Sequence, residues 1–223
     1  MTGVQTCALR SDFEALGSAY ARRGYVFLAY SGLGFGGSGC KIQLDDPDWD
    51  GKAGKQIVSF LGGSHAASDG TKVDYVIHDK KAADGRMYPD DPRLGMIGGS
   101  YGGQIQFATA ATDPRVDTLV PLITWNDLRY SLAPNNTSFT SGVTYDGSNP
   151  GTEKIGWAGL FFGVGILDGL QGATIDPARN VGCPNFVLEA CQAKATLDSL
   201  GYPTAATNRL TDRVSVGHYI DKV

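Results

Sequence analysis

The chain has 223 residues, of which 42% are hydrophobic and 19% are charged, and its net charge is −4. These values are typical of a globular protein with a sizeable core, and the acidic balance argues against a nucleic-acid partner. No run of about 18 apolar residues predicts a membrane span. Nothing in the pattern indicates a cofactor or a metal, and neither the oligomeric state nor the compartment is predicted.

The first eleven residues, MTGVQTCALRS, have no helical or strand periodicity and lack the basic start and apolar segment of a secretory signal. They resemble the translation of a sequencing-library adapter. We therefore expect residues 1–11 to be a non-native tail and the native N-terminus, with any targeting signal, to be missing. Residues 12–126 are predicted to form a strand–helix core, and residues 127–223 a helical, loop-rich region.

In chain order, the first predicted helix covers residues 12–23, where apolar side chains recur at helical spacing. The short apolar run at 25–31 predicts a buried parallel strand. Residues 32–39 (GLGFGGSG), hereafter the glycine loop, follow this strand. The next helix is predicted from about residue 50 to residue 61, and an alternating run at 73–77 predicts a small strand within a polar excursion.

A second buried strand is predicted at 93–100, with Leu94 to Ile97 as its apolar part. It leads into a helix from Ser100 to about Ala111, which the sequence Thr-Asp-Pro closes. Residues 116–124 predict a third strand. Beyond residue 126 the pattern predicts two further helices, at 157–170 and 185–201.

The four cysteines are Cys7, Cys40, Cys183 and Cys191, and their spacing does not match a zinc site. The favoured interpretation is that all four are free thiols. The alternative is a disulfide between Cys183 and Cys191, which would indicate an oxidising compartment.

The glycine loop also fits G-x-G-x-x-G at Gly32, Gly34 and Gly37, the pattern of dinucleotide-binding turns. Such a site requires a helix that begins inside the glycines, so that its N-terminus faces the pyrophosphate. Here the chain continues with polar residues and Pro47, and no strand ending in an acid follows about 20 residues later. A dinucleotide site is therefore disfavoured.

Residues 98–102, Gly-Gly-Ser-Tyr-Gly, fit G-x-S-x-G, the turn that presents a nucleophilic serine between a strand and a helix. We expect small residues where the backbone is pressed against its neighbours, which are Gly98, Gly99, Gly102 and Gly103. The Tyr101 amide is expected to face the oxyanion, helped by the helix dipole. The alternative is a glycine-rich turn in which Ser100 only caps the helix.

Three segments together carry a family resemblance: GLGFGGSG, DPRLGMIGGSYGG and ATDPRVDTLVPLITWNDL. They resemble the X-prolyl dipeptidyl-peptidase and cocaine-esterase-like group of α/β-hydrolases, over roughly residues 12–130. The resemblance implies an α/β fold, a three-layer and mostly parallel sheet with an inserted helical cap at 127–223. It also implies a serine hydrolase with Ser100 as nucleophile and the Tyr101 amide as an oxyanion donor. The substrate would be a small molecule or a peptide, and the choice between peptidase and esterase stays open.

In that group the acid and the histidine of the triad follow the cap, and a second oxyanion donor precedes the first helix seen here. The strand before that helix also lies between the strand at 25–31 and the strand leading to Ser100. The resemblance thus implies that this chain is a fragment. We expect it to be inactive by itself and to leave two parallel sheet edges open to aggregation.

His218 is the histidine that follows Ser100 in the chain, but no predicted buried strand delivers an acid before it. We therefore disfavour His218 as the general base. If the whole protein lacks a later acid and histidine, the alternative is a non-catalytic, degenerate hydrolase-fold protein that binds ligands.

Trp125 and Asp127 follow the third strand, at the edge where α/β sheets place ligand-contacting residues. Trp125 is a candidate for the substrate pocket, and packing between core and cap is an equal alternative. Asp127 is a second pocket candidate, with N-capping of the next helix as its alternative.

Overall fold

A computed structural model describes residues 10–134 and 151–223, with side chains described from residue 14 onward. The described strands are β1 (Gly95–Gly99) and β2 (Thr118–Leu122). The described α-helices are α1 (Arg10–Ala21), α2 (Lys52–Leu61), α3 (Tyr101–Ala110), α4 (Leu128–Leu132), α5 (Ile155–Gln171), α6 (Leu188–Leu200), α7 (Ala205–Arg213) and α8 (Val216–Tyr219). A π-helical turn, Pro47–Gly51, leads into α2.

The strands β1 and β2 pair in parallel, with Met96 opposite Leu119 and Gly98 opposite Pro121. Parallel strands require a crossover connection, and α3 supplies it and packs on both strands. The predicted order of strand, helix and strand around Ser100 is therefore confirmed. Within the described residues the sheet has two strands, which is part of an α/β fold.

The faces of this sheet are more exposed than the sequence predicted. Ile97 is 40% exposed, Val120 44% and Leu122 52%, whereas strands of a parallel sheet are usually covered on both faces. The reason is that α3 is the main element that packs on the two strands in the described parts of the chain. Local sequence predicted the strands, but burial depends on elements that pack on them from elsewhere.

The prediction of a buried strand at 25–31 is wrong. The segment has no regular secondary structure, and Tyr25 and Val26 are 62% and 43% exposed. An apolar run becomes a strand only when a neighbour completes its hydrogen-bond ladder. Among the described residues no strand pairs with this segment.

The small strand predicted at 73–77 is also absent. Val73 is buried, but Tyr75 and Ile77 are 70% and 66% exposed, so the alternating pattern does not mark one buried face. Just beyond this run, His78 forms one isolated antiparallel bridge with Pro92. Two backbone hydrogen bonds flank this bridge, from the Asp79 amide to the Asp91 carbonyl at 2.9 Å and from the Arg93 amide to the Ile77 carbonyl at 2.8 Å.

The helices predicted at 157–170 and 185–201 are confirmed as α5 and α6. The described residues 151–223 that contain them are called the cap below, as a name for this helical region alone. The main buried apolar cluster lies between this region and the residues that follow the glycine loop. The cluster consists of Ile42, Cys183, Phe186, Ala190 and Leu210. Ile42 pairs with Phe186 in a parallel bridge. Both partners are almost fully buried, which places the centre of the core at the junction between the N-terminal region and the cap.

The favoured interpretation of the cysteines as free thiols is wrong for Cys183 and Cys191, which form a disulfide. The turn after Cys183, where Asn185 is left-handed at φ 58°, brings the chain back toward α6. The two Cα atoms are 5.9 Å apart as a result. Cys40 is an exposed free thiol, as predicted, and Cys7 lies outside the described residues.

Helix α5 continues through a 3₁₀ turn to Thr174. By length and composition alone, Ile155–Thr174 could cross a membrane, with a mean hydropathy of 1.2. This differs from the expectation that no segment meets that criterion. One such helix is weak evidence, because core helices also pass the test. One side of α5 packs on protein, since Gly165 lies against the ring of Phe186.

Candidate active site

Ser100 lies at the sharp turn between β1 and α3, in a strained backbone conformation. Its φ and ψ are 54° and −118°, a region that non-glycine residues rarely adopt and that costs on the order of 1–3 kcal/mol. The turn is held because the Ser100 amide donates to the Leu122 carbonyl of β2 at 2.8 Å. The Ser100 side chain makes no capping hydrogen bond to α3, so the interpretation of Ser100 as only a helix cap is wrong.

Tyr101 begins α3, so its N–H has no acceptor within the helix and lies at the positive end of the helix dipole. Its ring contacts two other aromatic rings, with centroids 5.0 Å from Phe35 and 6.3 Å from Trp125. Its hydroxyl accepts a hydrogen bond from the Asp45 amide at 3.0 Å. The residue after Ser100 is therefore fixed by both apolar and polar contacts.

The turn at residues 98–103, hereafter the elbow, contains four glycines with different surroundings. A Cβ on Gly98 would lie 2.4 Å from the Gly102 carbonyl oxygen, and a Cβ on Gly103 would lie 3.0 Å from the Leu122 carbonyl oxygen. A Cβ on Gly99 would make only ordinary contacts, and a Cβ on Gly102 would meet open space. The steric reason given for a small residue thus holds at Gly98 and Gly103 but not at Gly99 or Gly102.

Two buried glutamines, which the sequence analysis did not identify, support the elbow. Gln106 donates to the carbonyls of Gly98 and Gly102 at 3.2 and 2.9 Å and accepts from the Val120 amide at 3.0 Å. Gln104 accepts from the Thr124 hydroxyl at 2.9 Å. The sequence signal that could have indicated them is a pair of polar side chains in the otherwise apolar helix that follows the elbow.

Trp125 and Asp127 both lie on the loop after β2, and the structure gives them different surroundings. Trp125 is half-buried and its indole N–H donates to the Val214 carbonyl at 3.3 Å, so it joins the elbow to the cap. Asp127 accepts from the amides of Arg129 and Tyr130, which confirms the N-cap alternative. Its carboxylate also forms an ion pair with Arg129 at 2.6 Å.

His218 lies in α8, where its Nδ1 is 2.9 Å from a carboxylate oxygen of Asp212. The amide of the preceding residue, Gly217, donates to the Asn126 carbonyl at 2.9 Å, so α8 packs near the elbow. Within the described ranges no hydrogen bond joins His218 to Ser100, and Asp212 is also paired with Arg129 at 2.8 Å. The structure therefore pairs an acid with His218 but does not connect that pair to the serine.

A buried pair of acids, Asp45 and Asp50, lies behind the Tyr101 side chain. Both are almost fully buried, and within the described residues neither carboxyl group makes a hydrogen bond of normal length and angle, although backbone amides lie near the Asp50 carboxyl. Burial, and then the charge of Asp50, raises the pKa of Asp45 well above its usual range. Burial raises the pKa of Asp50 to about 7. Nearby backbone amides lower this pKa, and the charge of Asp46 makes a smaller contribution that raises it. The acid-rich run was not singled out from sequence.

No helix begins within the glycine loop. This agrees with the prediction that the loop is not a dinucleotide site. Two carbonyls of the loop, those of Gly34 and Gly36, accept hydrogen bonds from the buried guanidinium of Arg179. A pyrophosphate would instead need free N–H groups. Two of these are also occupied within the chain, because the Gly34 amide donates to the Gly39 carbonyl at 3.1 Å and the Gly36 amide donates to Asp168 at 3.0 Å.

The parallel strands and their crossover helix form part of an α/β fold, with the strained serine turn between the first strand and the helix. A sequence model of the family described as X-Pro dipeptidyl-peptidase (S15 family) matches residues 5–154. The match covers 150 of the 223 residues (5 through 154, inclusive), and the chain belongs to this family. A search of curated proteins found no match.

Proposed function

We propose that the protein is a serine hydrolase that cleaves an amide or ester bond through an acyl-enzyme formed on Ser100. The observation that carries the proposal is the exposed, strained Ser100, whose side chain makes no capping bond, at the start of α3. Strained residues of this kind cluster at active sites, where the strain is part of the mechanism. Membership of the X-Pro dipeptidyl-peptidase family supports the same chemistry.

In the proposed reaction, Ser100 Oγ attacks the carbonyl carbon while a general base takes the hydroxyl proton. The tetrahedral oxyanion accepts a hydrogen bond from the Tyr101 amide, which is the first N–H of α3. Collapse of this intermediate breaks the bond to the amine or alcohol, which leaves with the proton that the base held. Water then attacks the acyl-Ser100 ester and releases the acid.

The proposal assigns the nucleophile and one oxyanion donor, and it leaves the base unassigned. His218 has Asp212 as a partner, but neither contacts Ser100 in the described residues. Trp125 and the Tyr101 ring would line one side of the substrate pocket, because both lie at the elbow and contact each other. Asp127 is excluded from the pocket proposal, since the helix cap and Arg129 occupy its carboxylate.

The experiment is acylation of the purified chain by a p-nitrophenyl ester and by a fluorophosphonate, followed by mass spectrometry of the labelled peptide. We expect a covalent adduct on Ser100, absent from Ser100→Ala and unchanged in His218→Ala. An elbow without its base retains part of its catalysis through oxyanion stabilisation, so slow labelling is sufficient. No adduct on Ser100 after prolonged incubation would favour the degenerate, ligand-binding alternative.

The choice between peptidase and esterase is tested by comparing an X-Pro p-nitroanilide with the p-nitrophenyl ester under the same conditions. Because the family is named for X-Pro dipeptidyl-peptidase activity, we expect the anilide to acylate Ser100 as well. Acylation by the ester alone would restrict the proposal to an esterase.

A further inference from the structure

Arg179 is a fully buried cap arginine that binds the glycine loop. Its ion pair with Asp168 is long, at 3.5 Å. Its guanidinium donates to the carbonyls of Gly34, Gly36 and Ser38, the latter two at 3.0 and 3.3 Å. Few side chains other than arginine present several N–H donors in one plane. The guanidinium therefore fixes the course of three loop residues at once.

Two other cap residues complete this attachment. Asn185, also fully buried, donates to the Gly34 carbonyl at 2.9 Å and accepts from Arg179 Nε at 2.9 Å. Asp168 accepts from the Gly36 amide at 3.0 Å. Cap side chains thus bind both carbonyl and N–H groups of the glycine loop. The backbone geometry of the loop therefore depends on the cap.

The glycine loop in turn contacts the elbow through Phe35. Phe35 lies between two residues whose carbonyls Arg179 binds, and its ring centroid is 5.0 Å from that of Tyr101 in an edge-to-face arrangement. Edge-to-face pairs of this kind contribute about 0.5–1.5 kcal/mol beyond the area they bury. Tyr101 directly follows Ser100 and carries the amide assigned to the oxyanion.

We propose that Arg179 is a positioning residue of the candidate active site, which acts through the glycine loop and Phe35 to fix Tyr101 and its amide. This inference rests on the proposed function of Ser100. It makes the cap a determinant of elbow geometry, in addition to any role in covering the substrate. The Cys183–Cys191 disulfide closes the segment that carries Asn185 and so supports the same attachment.

The test compares Arg179→Lys with Arg209→Lys, a matched change at an exposed cap arginine. Lysine keeps the charge but loses the planar set of donors. The first readout is hydrogen exchange of the amides at residues 98–104, with α2 as an internal reference. We expect exchange at the elbow to rise at least about tenfold in Arg179→Lys, with little change in α2 and no change in Arg209→Lys.

The second readout is a double-mutant cycle with Phe35→Leu, which removes the ring contact with Tyr101 but leaves the loop glycines in place. If the effect of Arg179 passes through Phe35, Arg179→Lys adds little to elbow exchange in the Phe35→Leu background. A purely structural role predicts equal effects in both backgrounds, or equal changes in α2 and the elbow. Either of those results would overturn the proposal.

The Ser100 labelling rate separates this inference from the proposed function. If the parent chain is labelled, and the labelling rate is at least about fivefold lower in Arg179→Lys but unchanged in Arg209→Lys, the proposed function and the positioning role are both supported. If the parent chain is not labelled, the proposed function fails, while the exchange measurements still decide whether Arg179 positions the elbow. Labelling that is unchanged in Arg179→Lys overturns the positioning role.

Discussion

Replacing Asp50 by asparagine is expected to stabilise the protein at alkaline pH. The pKa of this buried carboxyl is about 7 in the folded chain, against an ordinary value of 3.8. The difference of about three pKa units corresponds to about 4 kcal/mol. Asparagine has nearly the same shape as a protonated aspartic acid, and it cannot ionise. The substitution therefore removes the free-energy cost of a buried charge at this position.

The sign follows from the raised pKa. The folded state holds the Asp50 proton up to about pH 7, whereas the unfolded chain loses it near pH 4. Unfolding therefore releases a proton between these values, and the stability of the parent chain falls as pH rises from about 4 to about 7. Above that window the penalty is constant, and in Asp50→Asn this contribution to the pH dependence is absent.

The assay is urea unfolding followed by circular dichroism at several pH values from 5 to 8.5, with the free energy of unfolding extrapolated to water. The control is Asp48→Asn in the same turn. Asp48 is exposed and pairs with Lys52 at 3.0 Å, so its loss is expected to change stability by less than about 0.5 kcal/mol at every pH.

One pattern of results would refute the reasoning. If the parent chain kept constant stability across this range and Asp50→Asn were less stable at pH 8, the carboxyl would be ionised and would have a favourable partner. The description of Asp45 and Asp50 as unpartnered acids would then be wrong for the protein in solution.

Three further predictions concern the elbow and the cap. Gly98→Ala is expected to cost about 1–3 kcal/mol because its Cβ would meet the Gly102 carbonyl oxygen at 2.4 Å. The matched Gly102→Ala has open space within a helix and should be neutral or slightly stabilising; equal losses in urea unfolding would contradict the elbow packing. Gln106→Leu leaves the Val120 amide without its acceptor and should cost about 1–3 kcal/mol; unchanged stability would show that the bond contributes nothing. Reducing the Cys183–Cys191 disulfide, whose partners are 8 residues apart, should lower stability by about 2–3 kcal/mol; the stability of Cys183→Ser, which lacks this bond, should not change with reductant.

The sequence by itself determined the strand–turn–helix around Ser100 and the positions of the long helices. These features depend on local causes: the apolar run before the turn, the glycine at position 98 and the Thr-Asp-Pro that ends α3. The N-cap role of Asp127 belongs to the same group, since its partners are only two and three residues away.

Only the tertiary structure decided which apolar runs became paired strands and which polar groups became buried. The segment at 25–31 has strand-like composition but no partner, because pairing depends on residues distant in the chain. Arg179 contacts a loop more than 140 residues earlier, and the orphaned carboxyls of Asp45 and Asp50 result from packing around them. Contacts of such long range leave no periodic signal in one sequence, because each depends on the path of the whole chain between the two residues.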